Sequence, residues 1–219
     1  MEDHALFAEA LAIAMRLEGY DVRQVPAPDV AVSTARVVAA VVHHRPQIVL
    51  LDLDLGAFGD GARLISPLAH AGAAVVVVTA SHERARWGEC IRYGARKVLN
   101  KSQPLSEILS VTRRLTQGLA VMDVVERESL LKSWHLERAV SQGQRERLDR
   151  LTPREREILG HLIAGRQVRE IAALRVVSES TVRTQVKTIL SKLEVTSQLT
   201  AVSTARSAGW TPESPRGRR

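Results

Sequence analysis

Along residues 1–118, apolar positions at helical spacing alternate with short, continuously apolar stretches, so the pattern predicts alternating helices and strands. Ala5 to Glu18 predicts a helix closed by Gly19, and Asp21 to Val25 a short strand. A helix follows over Asp29 to His44, entered through Pro26 and Pro28, then a buried strand over Gln47 to Leu53. Next come a helix over Asp60 to Ala71, a buried strand over Ala73 to Thr79 and a helix over His82 to Tyr93. Lys97 to Asn100 predicts a strand and Pro104 to Gln117 the closing helix. Strands apolar on both faces, with helices between them, belong to an α/β doubly wound parallel sheet covered on both sides.

From Leu151 to Trp210 only helical periods remain. Thr152 before Pro153, with Glu155 three residues on, makes a capping box with proline at the first helical position. That helix carries Ile158, Leu159, Leu162 and Ile163 on one side, and Gly165 supplies a left-handed stop. A second, short helix places Ile171, Ala172 and Leu174 inward. Ser178 is an N-cap for a third, in which Val182, Val186, Ile189, Leu190 and Leu193 form one apolar stripe. Arg183, Thr184 and Lys187 lie off the stripe, free to meet a partner. A last helix starts near Thr196 or Ser197, carries Leu199, Val202 and Ala205, and ends at Gly209. Residues 119–150 predict a polar helical connector, Asp123 to Ser133 and then Trp134 to Arg150, weakly broken at Gly143. Its apolar residues keep no clean heptad, so a solvated connector is expected rather than a coiled coil.

A length of 219 residues suits two modest domains: 1–118 and 151–210, joined by 119–150 and followed by a basic tail, 211–219, expected to be disordered. The hydrophobic share of 45% is enough for real cores, yet no apolar run reaches the length of a membrane span. The lone Cys90 excludes an internal disulfide framework and suits a cytoplasmic protein. Charge is uneven: residues 1–118 hold 13 basic and 12 acidic side chains, against 18 and 12 in residues 119–219. Six of the seven net positive charges therefore travel with the all-helical part, which points to a polyanionic partner.

Three short capped helices, the third with a basic and small-polar outer face, fit a helix-turn-helix that lays one helix in the DNA major groove. Residues 151–210 resemble the DNA-binding domain of LuxR-type transcription regulators. By that resemblance Arg183, Thr184 and Lys187 match the positions that touch DNA, with Ser178 and Thr181 near the phosphates, where helix N-termini bind anions. Gln167 stands where the family has a better-capping Ser or Thr, which predicts a loose start for the second helix. Arg175 replaces a common core leucine, so it is expected to snorkel outward and add a phosphate contact; Gln185 replaces a frequent histidine.

Ligands of a doubly wound sheet bind beyond the carboxyl ends of its strands. Asp52, Thr79 and Lys101 stand at or just past those ends, and Glu2 and Asp3 precede the first helix. Acids, a hydroxyl and a lysine so placed suit Mg²⁺ and a phosphoryl group, with an aspartate as nucleophile and the hydroxyl and ammonium on phosphoryl oxygens. Residues 1–118 resemble the receiver domain of two-component response regulators, and the whole chain resembles the NarL/LuxR type. The resemblance implies Asp52 as phosphoacceptor and Glu2, Asp3 and Asp52 as Mg²⁺ ligands. It also implies Thr79 as the switch hydroxyl and Lys101 as the phosphate-binding lysine.

There are three departures. The family's first, central strand is missing before Glu2, from which the true start is expected upstream of Met1. Val98 stands where a switch Tyr or Phe is usual, and the loop over residues 54–60 is one residue longer, with Asp54 adding charge beside the pocket. The implied function is a cytoplasmic, DNA-binding transcriptional regulator of a two-component phosphorelay, controlled by phosphorylation of Asp52. Its implied partners are double-stranded DNA, a sensor histidine kinase, RNA polymerase and a second copy of itself, with no membrane. Two alternatives remain. One is a helix-turn-helix regulator with a phosphorylation-independent pseudo-receiver. The other is an aspartyl-phosphate phosphatase, because residues 51–56 also match the Asp-x-Asp strand end of haloacid-dehalogenase-like enzymes, with Asp54 as general acid. Those enzymes need a further acidic pair after the lysine strand, and here the next acids, Glu107 and Asp123, fall on predicted helices.

Overall fold

A computed structural model describes residues 1, 4–26 and 32–211. The chain divides into two compact units, Met1–Leu136 and Glu137–Arg219. Glu2 and Asp3, the predicted helix entry at Pro28 and Asp29, and most of the expected basic tail lie outside the described residues.

In the first unit α1 (Ala5–Leu17) and α2 (Thr34–His43) precede β1 (Ile48–Leu51). Then come α3 (Ala62–His70), β2 (Ala74–Thr79), α4 (Arg84–Arg92), β3 (Lys97–Asn100) and α5 (Leu105–Thr116). The strands form a parallel sheet in the order β1-β2-β3, with Ile48 opposite Ala74 and Thr79 opposite Asn100. Alternation along the strands sends Val49, Leu51, Val75, Val77 and Val98 to one face, packed on Val41 of α2, Leu64 and Leu68 of α3 and Ile91 of α4. Val76, Val78 and Leu99 go to the other, against Ile108 and Val111 of α5 with Phe7 and Leu11 of α1. Each fully buried aliphatic side chain removed from water in this way stabilises the unit by about 1.5–3 kcal/mol.

The strand predicted over Asp21–Val25 does not form; among the described residues that stretch ends in one isolated bridge position at Pro26. A strand exists only through ladder partners, and the space between this segment and β1 is a cavity of about 1470 Å³ lined by both. Helix α2 begins later than predicted, where the Ser33 hydroxyl accepts the Arg36 N–H.

The connector differs from expectation too. Helix α6 (Val124–Asp149) runs unbroken through Gly143, crossing the division between the units. It is not simply solvated, because Leu130 enters the core of the first unit and Leu148 that of the second. In the first unit α6 approaches α4 so closely that a Cβ on Gly88 would collide with the Leu130 carbonyl, and Trp134 lies against the same glycine. Lys97 of β3 adds an ion pair to Glu126 at 2.7 Å.

The second unit holds α7 (Pro153–Ile163), α8 (Val168–Arg175), α9 (Glu179–Leu193) and α10 (Gln198–Ser207) around Ile158, Leu159, Ile171, Val182, Ile189 and Leu193. The capping box at Thr152 and Glu155 and the left-handed Gly165 both form as predicted. Leu174 does not turn inward: it is 58% exposed, because α8 ends one residue later and Val176 takes a left-handed conformation. Among the described residues no helix is long and apolar enough to cross a membrane.

Candidate functional site

The first candidate pocket is assembled at the carboxyl ends of three strands. Asp52 follows β1 and is 2% exposed; its Oδ2 lies 2.6 Å from the Lys101 ammonium, which follows β3 and is itself only 14% exposed. Low local dielectric strengthens this pair, and removing either partner would strand a buried charge. The second carboxylate oxygen of Asp52 accepts the Asp54 N–H at 3.3 Å. Phe7 of α1 presents its ring 5.4 Å from the Lys101 ammonium, and His4 Nδ1 lies 3.5 Å from it. Gly61 backs directly onto Asp52, where an added Cβ would run into the Asp52 carbonyl.

Thr79 closes β2 and is buried; its hydroxyl accepts the Ser81 N–H at 3.1 Å, which holds the loop leading to α4. Among the described residues it makes no bond to Asp52. Asn100, absent from the predicted site residues, is as important to the shape. Its amide donates to the Ser81 carbonyl at 3.1 Å and its Oδ1 accepts the Ser102 N–H at 2.8 Å. It thereby ties the β2 loop to the turn that carries Lys101. A polar residue ending an apolar strand was the available signal.

The long loop after Asp52 is folded onto itself. Residues Gly56–Phe58 form a 3-10 turn, Asp54 pairs with Asp60 as an antiparallel bridge, and Phe58 is buried. Asp54 is exposed and its carboxylate accepts the Gly56 N–H at 3.1 Å, so its charge is spent on the loop. Arg86 of α4 pins the loop through an ion pair with Asp60, and pairs as well with Glu89 of its own helix. Val98 is buried in the core, leaving no ring in this strand to move. Cys90 is buried beside it, and burial pushes its thiol up to about 12, which makes it a packing residue.

The carboxylate of Asp52 is the hard oxygen donor that Mg²⁺ requires. Of the other expected ligands, Glu2 and Asp3 lie outside the described residues, and the described residues form no cluster of three metal-ligating side chains.

The nucleic-acid candidate is the outer face of α9. Ser178 caps it, accepting the Thr181 N–H at 3.1 Å and sharing a 2.8 Å bond with the Thr181 hydroxyl. Val182, Val186, Ile189 and Leu193 are buried, which forces Arg183, Thr184 and Lys187 outward. The Thr184 hydroxyl donates to the Ser180 carbonyl at 3.0 Å. Arg183, 70% exposed, pairs with Glu179 one turn back at 2.9 Å. Lys187 makes no ion pair among the described residues. All five predicted residues therefore share the amino-terminal two and a half turns and the solvent side of one helix.

Two expectations for α8 are corrected. Arg175 does not snorkel outward: its side chain is 11% exposed and pairs with Glu157 of α7 at 2.5 Å, so it braces the scaffold. The start at Gln167 is not loose, because Glu170 reaches back to accept the Gln167 N–H at 2.6 Å.

Residues 1–113 match the response regulator receiver domain, and residues 149–205 match the bacterial regulatory proteins of the luxR family. A probable transcriptional regulatory protein NarL of Mycobacterium tuberculosis is 29% identical over 206 residues, covering 93% of this chain and 90% of that protein. The transcriptional regulatory protein DesR of Bacillus subtilis is 23% identical over 166 residues, 76% of each chain. Among solved structures, the RcsB response regulator of Salmonella typhimurium covers 94% of this chain and 96% of its own, with a TM-score of 0.48 and 18% identity. The chain belongs to the NarL/LuxR-type response regulators, and is a DNA-binding transcriptional regulator of a two-component system.

Proposed function

We propose that Asp52 is the phosphoacceptor and that its modification controls how α9 engages duplex DNA. One observation carries this reading: the buried Asp52 carboxylate lies 2.6 Å from the Lys101 ammonium, with Thr79 at the intervening strand end. A carboxylate oxygen of Asp52 forms the new P–O bond as the P–N bond of a kinase phosphohistidine breaks. Lys101 then exchanges its bond to Asp52 for one to a phosphoryl oxygen, and Thr79 releases the Ser81 N–H to meet another. Asp52, with Glu2 and Asp3, would hold Mg²⁺, which would supply charge neutralisation between the carboxylate and the incoming phosphoryl group. Added charge in the pocket pulls on Thr79, and through Ser81 and Asn100 on the loops before α4 and α5.

On the output side Arg183, Thr184 and Lys187 face base edges, while Ser178 and Thr181 sit against phosphates at the start of α9. Arg183 leaves Glu179 to do so. Two copies match half-sites about 34–36 Å apart on one face of the duplex. The protein acts in the cytoplasm as a regulator rather than an enzyme, receiving its phosphoryl group from a sensor histidine kinase and acting on RNA polymerase at promoters. The domains serving these roles are 1–118 and 151–210, with 119–150 as connector.

Incubation with Mg²⁺ and a small acyl phosphate, followed by intact-protein mass at neutral pH, tests the input half. One added phosphoryl group is expected on the native chain and none on Asp52→Asn. An unmodified native chain would establish the pseudo-receiver alternative instead. Selection of duplex DNA with and without the phosphodonor then tests both halves together.

A further inference from the structure

The outer face of α9 is less polar than its residue types imply, because its hydroxyls are already engaged within the helix. Ser178 Oγ accepts the Thr181 N–H at 3.1 Å and shares bonds with the Ser180 and Thr181 hydroxyls at 2.7 and 2.8 Å. The Thr184 hydroxyl donates to the Ser180 carbonyl at 3.0 Å, and the Thr188 hydroxyl to the Thr184 carbonyl at 3.1 Å. A hydroxyl has one proton to give, so neither Thr184 nor Thr188 keeps one for a base acceptor.

The same bonds orient the rest of each side chain. Donation to the carbonyl four residues back fixes the first side-chain torsion, and β-branching puts the methyl in the other outward staggered position. Both threonines are exposed, while Val182, Val186 and Ile189 between them are buried. What Thr184 and Thr188 offer a partner is therefore a methyl each, stacked one turn apart on one side of the helix, with the charges of Arg183 and Lys187 alongside.

We propose that Thr184 and Thr188 read thymine C5-methyl groups by apolar contact, which makes Thr188 a sequence-determining residue beside those matched above. The proposal rests on the reading that α9 enters the major groove, and names the sequence it selects there. Among base edges in that groove only thymine presents an apolar group; adenine, guanine and cytosine present donors and acceptors. Pressed against a methyl, those groups would lose water without gaining a partner, whereas thymine gives up only apolar surface. Residues four apart in a helix are about 6 Å apart along its axis. That is a span of about two base-pair steps at 3.4 Å each. The preferred half-site therefore carries two thymines within about three consecutive base pairs, where Lys187, next to Thr188, supplies the neighbouring polar contact.

The test begins with the native full chain and a duplex obtained by selection, in which deoxyuridine replaces each thymidine in turn; uracil lacks only the C5-methyl. Affinity is expected to fall by about fourfold at each of two nearby positions, the value of one buried methyl, and to hold elsewhere. Two exposed-site variants then separate methyl from hydroxyl. Thr184→Val keeps a methyl and should keep the thymine preference. Thr184→Ser keeps the hydroxyl and should bind the thymine and uracil duplexes alike at one of the two positions, with Thr188→Ser doing so at the other. A selected duplex in which uracil costs nothing overturns this proposal alone and leaves α9 on DNA. Thr184→Val losing as much as Thr184→Ser overturns it in favour of a hydroxyl contact. Selection that yields no duplex at all overturns the placement of α9 on DNA, and the thymine contacts with it.

Discussion

Asp52 and Lys101 stand 49 residues apart in sequence and meet only when β1, β2 and β3 are in register. Ser178, Thr181, Arg183, Thr184 and Lys187 fall within three turns of one helix. The pocket is thus a property of the sheet's topology, and the proposed DNA-facing surface a property of local periodicity and a cap. The buried clusters follow the same division: the core around Ile158 and Ile189 contains only residues of the second unit, and the sheet's two cores only residues of the first. A pocket built from strand ends fails with any loss of register. A helix face needs only its own core beneath it.

The largest expected effect that bears on this contrast comes from emptying one core alone. Ile189 is fully buried beneath the proposed DNA face. Ile189→Ala is expected to cost about 2–5 kcal/mol in the second unit. It should greatly weaken DNA binding while leaving phosphoryl transfer to Asp52 intact, read by intact-protein mass beside a mobility shift. Equal loss of both activities would show that the units do not stand on separate cores.

Next in size is Lys187→Ala, which removes a charge with no ion pair among the described residues. If the ammonium reads a base, affinity for a selected site falls by about 1–3 kcal/mol; if it touches phosphate, the slope of affinity against salt falls by about one. Binding isotherms over a salt series separate the two. Unchanged affinity throughout would move the interface away from this face of α9. Arg183→Ala should show a smaller loss, because Glu179 already neutralises part of its charge at 2.9 Å.

The same contrast explains what could be seen in the sequence. Thr152, Glu155, Ser178 and Gly165 act within four residues of their partners, so their roles were written in short words and the structure repeats them. The strand over Asp21–Val25 was predicted from its own residues, but a strand is made by its neighbours, and a cavity lies where the neighbour should be. Arg175 turns in because its partner, Glu157, lies on another helix, which its own neighbourhood does not announce. Asn100 escapes any local pattern because its partners, Ser81 and Ser102, come from two different turns. The burial of Leu130 and the constraint on Gly88 likewise depend on α6 returning to α4, which no local pattern announces.

The smallest expected effect concerns Glu155, where a local cap meets a distant partner. Its carboxylate accepts the Thr152 N–H at 2.7 Å and the Lys192 ammonium of α9 at 2.8 Å. Burial pushes the proton affinity of this carboxyl up, but the bonds from Lys192 and Thr152 outweigh it and hold the group below its ordinary value of 4.5. A carboxyl depressed in the folded state adds stability above its unfolded value and loses that stability as pH falls through the folded one. The second unit should therefore hold its full stability near neutrality and weaken in the acid range below 4.5. Thr152→Ala is expected to cost about 0.5–2 kcal/mol at neutral pH through the lost cap. Glu155→Gln, which keeps an acceptor but not the charge, should flatten the acid limb instead. Hydrogen exchange at the Ile189 amide, followed from about pH 3 to 7 with intrinsic rates divided out, reads both. An acid limb that survives Glu155→Gln unchanged would assign it to other carboxylates.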